Sequence, residues 1–190
     1  MPHSVLDGVH LSRDFLPSPQ LAAVLAALDN LSTSWTPSQT LLALGRGRTD
    51  QVSGASFVSQ TALDQIRRVL APAVLRQARA CRFDLPAAPH LQLFPVRMIG
   101  DPQSPAYQEP HHDTLSGSLR PPVCTSVFYA KLEGVIGGRL AVTPTGRPDS
   151  TDALAVPPAV NLLASFGGER VHWVERLYEG ERVSIVVNLY

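Results

Sequence analysis

Three side chains in the second half of this 190-residue chain have the types and spacing of a metal site: His111, Asp113 and the distant His172. Residues i and i+2 of a strand project to one face, so His111 and Asp113 can converge while His112 points away. Two imidazoles and one carboxylate cover one face of an octahedral ion and leave three positions open. That suits a non-haem Fe(II) that must hold a cosubstrate and oxygen together. Taken alone, the His-x-Asp pair equally fits a surface histidine salt-bridged to its neighbour. The residues after His172 shift the balance toward the metal. Arg182 and Ser184 are again two apart, presenting a guanidinium and a hydroxyl to one face. The guanidinium fork donates two parallel hydrogen bonds to a carboxylate, and the hydroxyl adds a third donor. Ten residues separate His172 from Arg182, room for a strand, a tight turn at Glu179-Gly180 and a second strand. Such a hairpin would set metal ligand and carboxylate clamp on adjacent strands.

The elements that must position these groups read as short strands. From His90 onward, β-rich runs alternate with Pro, Gly and Ser turns: His90 to Ile99, Val123 to Leu132, Gly138 to Thr143, Ala153 to Val156, Asn161 to Phe166, Val171 to Glu175 and Arg182 to Leu189. Seven strands without intervening helices predict a sandwich or jelly roll. The N-terminal part reads helical. Ser18-Pro19 has the pattern of an N-cap with proline at the first helical position. Leu21, Val24, Leu25 and Leu28 then share a face, with a stop at Asp29-Asn30. A second helix starts near Thr61 with Asp64 in capping-box spacing, and Leu63, Ile66 and Leu70 on one face. Pro72 is expected to break or kink it, with another helix from Ala73 to Arg82. The Gly-, Arg- and Ser-rich stretch Leu44 to Gln60 reads as a surface connection or a lid, and matches no phosphate-loop pattern. Trp35 and Phe57 read as core or pocket aromatics.

Composition bounds the partners. Acidic and basic residues balance at 16 each and no basic run stands out, which argues against nucleic acid. No apolar run approaches the roughly 20 residues of a membrane span, and no signal peptide is evident. Cys81 and Cys124 are too few for a disulfide framework, so a reducing cytoplasm and buried thiols are the expectation. The length fits one domain over 1–190, with 1–89 a helical support region and 90–190 the β core.

With these residues in view, the stretch from Leu93 to Tyr190 resembles the catalytic core of the 2-oxoglutarate- and Fe(II)-dependent dioxygenases, in particular the prolyl-4-hydroxylase-like branch. The matching segments are Pro110-His111-His112-Asp113, Val127-Phe128-Tyr129, Gly137-Gly138-Arg139-Leu140, Phe166-Gly167-Gly168, Val171-His172-Trp173-Val174 and Gly180-Glu181-Arg182-Val183-Ser184. The resemblance implies a double-stranded β-helix, a cupin-like jelly roll, buttressed by the helices. It implies His111, Asp113 and His172 as iron ligands, with Arg182 and Ser184 on the far carboxylate of 2-oxoglutarate. Tyr129 matches a position whose hydroxyl often joins that clamp. It further implies O2 as cosubstrate, with succinate and CO2 released as a C–H bond is hydroxylated. Halogenating relatives replace the carboxylate ligand with a small residue, so Asp113 favours hydroxylation. Arg139 stands where an acidic residue is often found. The Gly100 to Pro110 loop lacks the usual Gly-aromatic pattern, with Tyr107 as a stand-in. Arg97, Tyr107 and Arg120 are the candidate substrate contacts, and Trp173 and His112 read as packing beside the ligands. The compact length favours a small amino-acid-like substrate, with a peptide or protein prolyl residue as the alternative and a non-catalytic sensor module as the third reading.

Overall fold

The structure is a computed structural model, and it describes residues 3–32, 60–114, 120–144 and 152–190. Trp35, Phe57 and the Leu44 to Gln60 stretch, except for Gln60 itself, lie outside the described residues.

One strand organises the β core. Strand β9 (His172–Leu189) runs unbroken for 18 residues, so the hairpin expected at Glu179-Gly180 does not form. Along one edge it pairs antiparallel with β3 (Leu91–Ile99) and then β4 (Ala106–His111). Along the other it pairs with β5 (Cys124–Gly137) and then β6 (Leu140–Val142). β5 continues outward to β8 (Leu162–Gly167), β8 to β2 (Val9–Ser12) and β2 to β1 (His3–Leu6), while β6 is edged by β7 (Leu154–Val156). The outcome is a major sheet on the C-terminal half of β9 and a minor sheet on its N-terminal half, the jelly roll expected.

All three paths turn at the same level, and the residues there explain how. Gly180 in β9 has φ +82°. A Cβ at this position would run into the Glu133 carbonyl and the Gly134 backbone of β5. Across the other edge, the Gly100 amide donates to the Gly180 carbonyl at 2.8 Å, at the end of β3. A strand bends sharply only where a residue tolerates the left-handed region and neighbouring backbones approach closely. Gly180 meets both demands, so β9 changes sheets without ending.

Pleat alternation sorts the side chains. Val183, Ile185, Val187 and Leu189 of β9 face the helices, with Leu93, Cys124 and Phe128 from neighbouring strands. Helices α1 (Ser18–Ser32) and α2 (Gln60–Ala80) cover that face through Val24, Leu28, Leu31, Ile66, Leu70 and Val74. The other face of the major sheet looks inward, where Val9, Val127, Tyr129, Leu140, Val142, Leu162 and Phe166 form the core between the sheets.

Two local expectations need correction. Pro72 does not break α2, which continues to Ala80. Pro72 is exposed, so water can meet the carbonyl it frees, while buried Leu70, Ala73, Val74 and Ala78 hold the opposite face. Ahead of α1, the described part of the expected helical support region is not helical. β1 and β2 form a hairpin around Asp7 (φ 45°) and Gly8 (φ 75°), a turn with both central residues left-handed. Asp-Gly between alternating hydrophobic residues is the sequence signal for that turn, and the hairpin extends the major sheet.

Replacing Gly180 with Ala should lower stability by roughly 3 kcal/mol through strain and the Glu133 collision together. Gly134→Ala (φ +58°, open space around its Cβ) should cost about 1 kcal/mol. At about 2–4 °C per kcal/mol for a chain of this size, thermal unfolding separates the two. Cys124 is enclosed and burial pushes its thiol up to about 12, so a thiol reagent should label half-buried Cys81 and spare Cys124 until the protein unfolds.

Candidate metal centre

His111 closes β4 and His172 opens β9, and the two are direct cross-strand partners. Their rings lie 4.4 Å apart, centroid to centroid. Strand β4 ends at His111, so Asp113 reaches the site from the chain just past the strand and not by strand alternation. The convergence expected is present, for a different local reason. Asp113 Oδ1 is 3.6 Å from His111 Nε2, and Oδ2 is 3.6 Å from His172 Nε2. One ligand atom from each residue falls within 4.8 Å of the others.

Each imidazole is fixed from behind. His111 Nδ1 donates to the Glu109 carbonyl at 2.8 Å and His172 Nδ1 to the Arg170 carbonyl at 3.1 Å. A carbonyl only accepts, so Nδ1 carries the proton and Nε2 keeps its lone pair for the centre. Such anchoring of the remote nitrogen is how metal-ligating histidines are held. Phe166 meets the His172 ring edge to face at 5.0 Å. Asp113 Oδ2 is buried without a hydrogen bond. A buried carboxylate oxygen without a donor, facing two lone pairs, is the donor set of a divalent cation, so the residues fit the iron expected from the sequence. Burial pushes the Asp113 carboxyl up, but the two imidazoles outweigh it and hold it well below the usual carboxylate range. Burial pulls the His111 imidazole down, but Asp113 and the Glu109 carbonyl outweigh it and leave its pKa raised.

An internal cavity of about 170 Å³ opens from the triad into the space between the sheets, room for about five waters at ~30 Å³ each. His172, Val174, Arg182, Ser184 and Val186 of β9 all line it. Even-numbered residues of one bent strand therefore supply a metal ligand at one end and the guanidinium and hydroxyl at the other. Arg182 is 1% exposed. Its Nη1 touches Met98 Sδ at 3.2 Å, its guanidinium lies 5.0 Å from the centre of the Tyr129 ring, and its Nε has no partner. Among the described residues no carboxylate pairs with it. The Gly138 Cα lies beside its side chain, where a Cβ would come 3.6 Å from Arg182 Cδ. Tyr129 is buried beside Ser184 across the ladder, with its hydroxyl unpartnered and its phenol raised by burial, partly offset by Arg182.

The candidate substrate contacts are not at the cavity. Arg97 sits on the other side of β3 and pairs with Glu181 at 2.8 Å. Val96 and Phe94 line the cavity in its place. Tyr107 is 56% exposed and borders an open groove on the outside of the minor sheet, with Trp173 and Tyr178. Arg120 is exposed and does not line the cavity. His112 is exposed and Trp173 borders the outer groove, so both turn away from the centre as expected. Gln108 was missed: it lines the cavity with its amide nitrogen 3.1 Å from His111 Nε2. A register shift between Gln108 and His111 puts residues three apart on one side, which alternation alone does not reveal.

Solved structures share this fold. A 2-oxoglutarate–Fe(II) oxygenase family oxidoreductase from Burkholderia pseudomallei aligns with TM-score 0.69 and 17% identity, over 96% of this chain and 84% of that one. A Trichoplax adhaerens prolyl hydroxylase, solved with a hypoxia-inducible-factor peptide, aligns at 0.63 and 15%, over 97% and 84%. The α-ketoglutarate-dependent epimerase SnoN of nogalamycin biosynthesis aligns at 0.67 and 16%, over 97% and 78%. No protein-family model and no curated protein sequence matches the chain.

Metal binding should compete with protonation of His111. Affinity for Mn(II), read by calorimetry, should fall about tenfold per pH unit per proton once pH drops below the raised His111 value. Asp113 stays ionised through that range. His172→Ala should abolish the tight site at every pH.

Proposed function

We propose that the protein is an Fe(II)- and 2-oxoglutarate-dependent oxygenase that hydroxylates an unactivated C–H bond. The observation that carries this reading is the buried, acid-free Arg182 at the end of a cavity whose other end is the His111–Asp113–His172 triad. A buried cation without a counter-charge is costly, and a dicarboxylate fitted between the guanidinium and a metal removes the cost. The iron, when bound, supplies activation of oxygen at the expense of 2-oxoglutarate decarboxylation, releasing succinate and CO2.

The chain's own residues do the placement. His111, Asp113 and His172 hold the iron, and the carbonyls of Glu109 and Arg170 keep both imidazoles in the ligating tautomer. Arg182 receives the far carboxylate with Ser184 as second donor, while Tyr129 supports the guanidinium from below. Val186, Val127, Val174, Leu140 and Phe94 line the stretch between and keep water from the reacting centre. Asp113 fills the third protein position, which favours hydroxylation. The substrate proposed is a small amino-acid-like molecule, and a prolyl residue of a peptide is the alternative, supported by the likeness to the Trichoplax enzyme. A cytoplasmic location suits Cys81 and Cys124, which are not joined in a disulfide.

Succinate formation from Fe(II), O2 and 2-oxoglutarate tests the reading, and no succinate with or without candidate substrates overturns it. Arg182→Met should weaken 2-oxoglutarate binding by about 1.5 to 3.5 orders of magnitude, a loss of about 2–5 kcal/mol. The same change should leave the ligand-free protein as stable or more so, because an uncompensated buried charge is replaced by an apolar chain.

A further inference from the structure

The inward face of the major sheet is layered, and the layers are unequal. Ser184 lies beside Tyr129 and Val96, Val186 beside Val127 and Phe94, and Asn188 beside Thr125 and Gln92. The first layer is polar and belongs to the carboxylate clamp with Arg182. The second is apolar. The third is polar again and enters neither the metal centre nor the clamp described above.

Its members are well placed to do something. Asn188 is 1% exposed and Thr125 0%. Neither side-chain atom of Asn188, nor the Thr125 hydroxyl, makes a hydrogen bond of good geometry, and the Tyr190 hydroxyl near Asn188 gives its own hydrogen to Gln92. Buried polar groups are almost always paired, so an orphaned amide beside an orphaned hydroxyl calls for a ligand. By alternation Asn188 follows Val186 on the inward face of β9, one step beyond the residues that line the cavity. The third layer also lies at the level of the metal: Thr125 pairs with Phe166, whose ring packs on His172. The phenol of Tyr190, just beyond, is pushed up to about 12 by burial and then by the Asp113 carboxylate, with the Asn188 side chain pulling it partly back.

The cosubstrate is not the partner of this layer, because in the oxygenase reading both its ends are committed, the far carboxylate to Arg182 and Ser184 and the other end to the metal. The third layer faces what lies beyond it.

Apart from Asp113, which is committed to the metal, the polar side chains named around the layer are neutral. Gln108 stands at the triad and Gln92 accepts from the Tyr190 hydroxyl at 3.1 Å. Arg97 is held by Glu181, Arg139 by Glu175, and Arg170 by the carbonyls of Asp7 and Thr143, while Arg120 is exposed and does not line the cavity. Resting on the oxygenase reading above, we propose that Asn188 and Thr125 form a specificity pair that binds an uncharged, hydrogen-bonding group of the substrate beside the metal, such as a carboxamide. An amide side chain offers one donor and one acceptor to a carboxamide, whereas a carboxylate would meet the Asn188 oxygen as a second acceptor. A site with buried hydrogen-bonding groups rejects partners that leave them unpaired.

The test uses Zn(II)-loaded full-length protein with 2-oxoglutarate, and calorimetric titration of matched probes: asparagine against aspartate, glutamine against glutamate, and N-acetylprolinamide against N-acetylproline. The neutral member of at least one pair should bind at least tenfold tighter than its acid. Asn188→Leu should cut that preference below about threefold, and Thr125→Val should reduce it in the same direction. Neither variant should lower the thermal midpoint of the ligand-free protein, since each replaces an unpaired polar group with an apolar one, whereas a structural role predicts destabilisation. Tighter binding of the acids, a preference unchanged in Asn188→Leu, or no binding by any probe overturns the proposal. If the wild-type protein fails to bind 2-oxoglutarate, the oxygenase reading falls with it; if it binds 2-oxoglutarate without favouring the neutral probes, only the specificity pair falls.

Discussion

Everything in this structure depends on β9 staying one strand through its bend. A strand that ended at Glu179 and restarted would leave the relation between His172 and Arg182 to a turn. An unbroken ladder fixes it, because β3 and β4 hold one edge and β5 and β6 the other. Gly180 makes the bend possible, and the same bend folds the minor sheet over the major one. The even-numbered residues then look into the space between the sheets from both halves of the strand, while Val183, Ile185 and Val187 anchor its back against the helices. Core packing and site geometry are thus two faces of one element.

The second constraint is electrostatic. Burying Arg182 against Met98 and the Tyr129 ring, with no acid at hand, works against stability. The apolar walls of the cavity raise the strength of any interaction made inside it, since a low local dielectric leaves charges less screened. The triad is the complementary case: an ionised Asp113 sits between two imidazoles whose remote nitrogens are spoken for. One end of the cavity lacks a negative charge and the other is arranged for a positive ion. A molecule with an anionic group at each end satisfies both at once.

Much of this was legible in the sequence because side-chain alternation is a strict rule. It correctly paired Arg182 with Ser184 and turned His112 and Trp173 away. The jelly roll followed from short strands without helices between them. Alternation failed where the ladder is irregular. The register shift in β4 hid Gln108, and Asp113 converges from beyond the strand end. Glu179-Gly180 looked like a hairpin turn because a glycine that bends a strand and one that reverses it have the same local sequence. Arg97 was misplaced for want of register: only the pairing with β9 shows that it shares a face with Glu181. The Asp7-Gly8 turn was readable and overlooked, and Pro72 was tolerated because tertiary packing overrode a local preference.

The neutral layer at Asn188 and Thr125 illustrates why cofactor chemistry is easier to read than substrate choice. Iron ligands and a carboxylate clamp have fixed types at fixed spacings, whereas a specificity pair is visible only once three strands are in register. The most direct measurement of the central claim is a crystal structure of the protein grown without oxygen in Mn(II) and 2-oxoglutarate. It should show the metal on His111, Asp113 and His172 with the far carboxylate of 2-oxoglutarate on Arg182 and Ser184. A metal bound elsewhere, or a dicarboxylate that does not reach Arg182, would contradict the account.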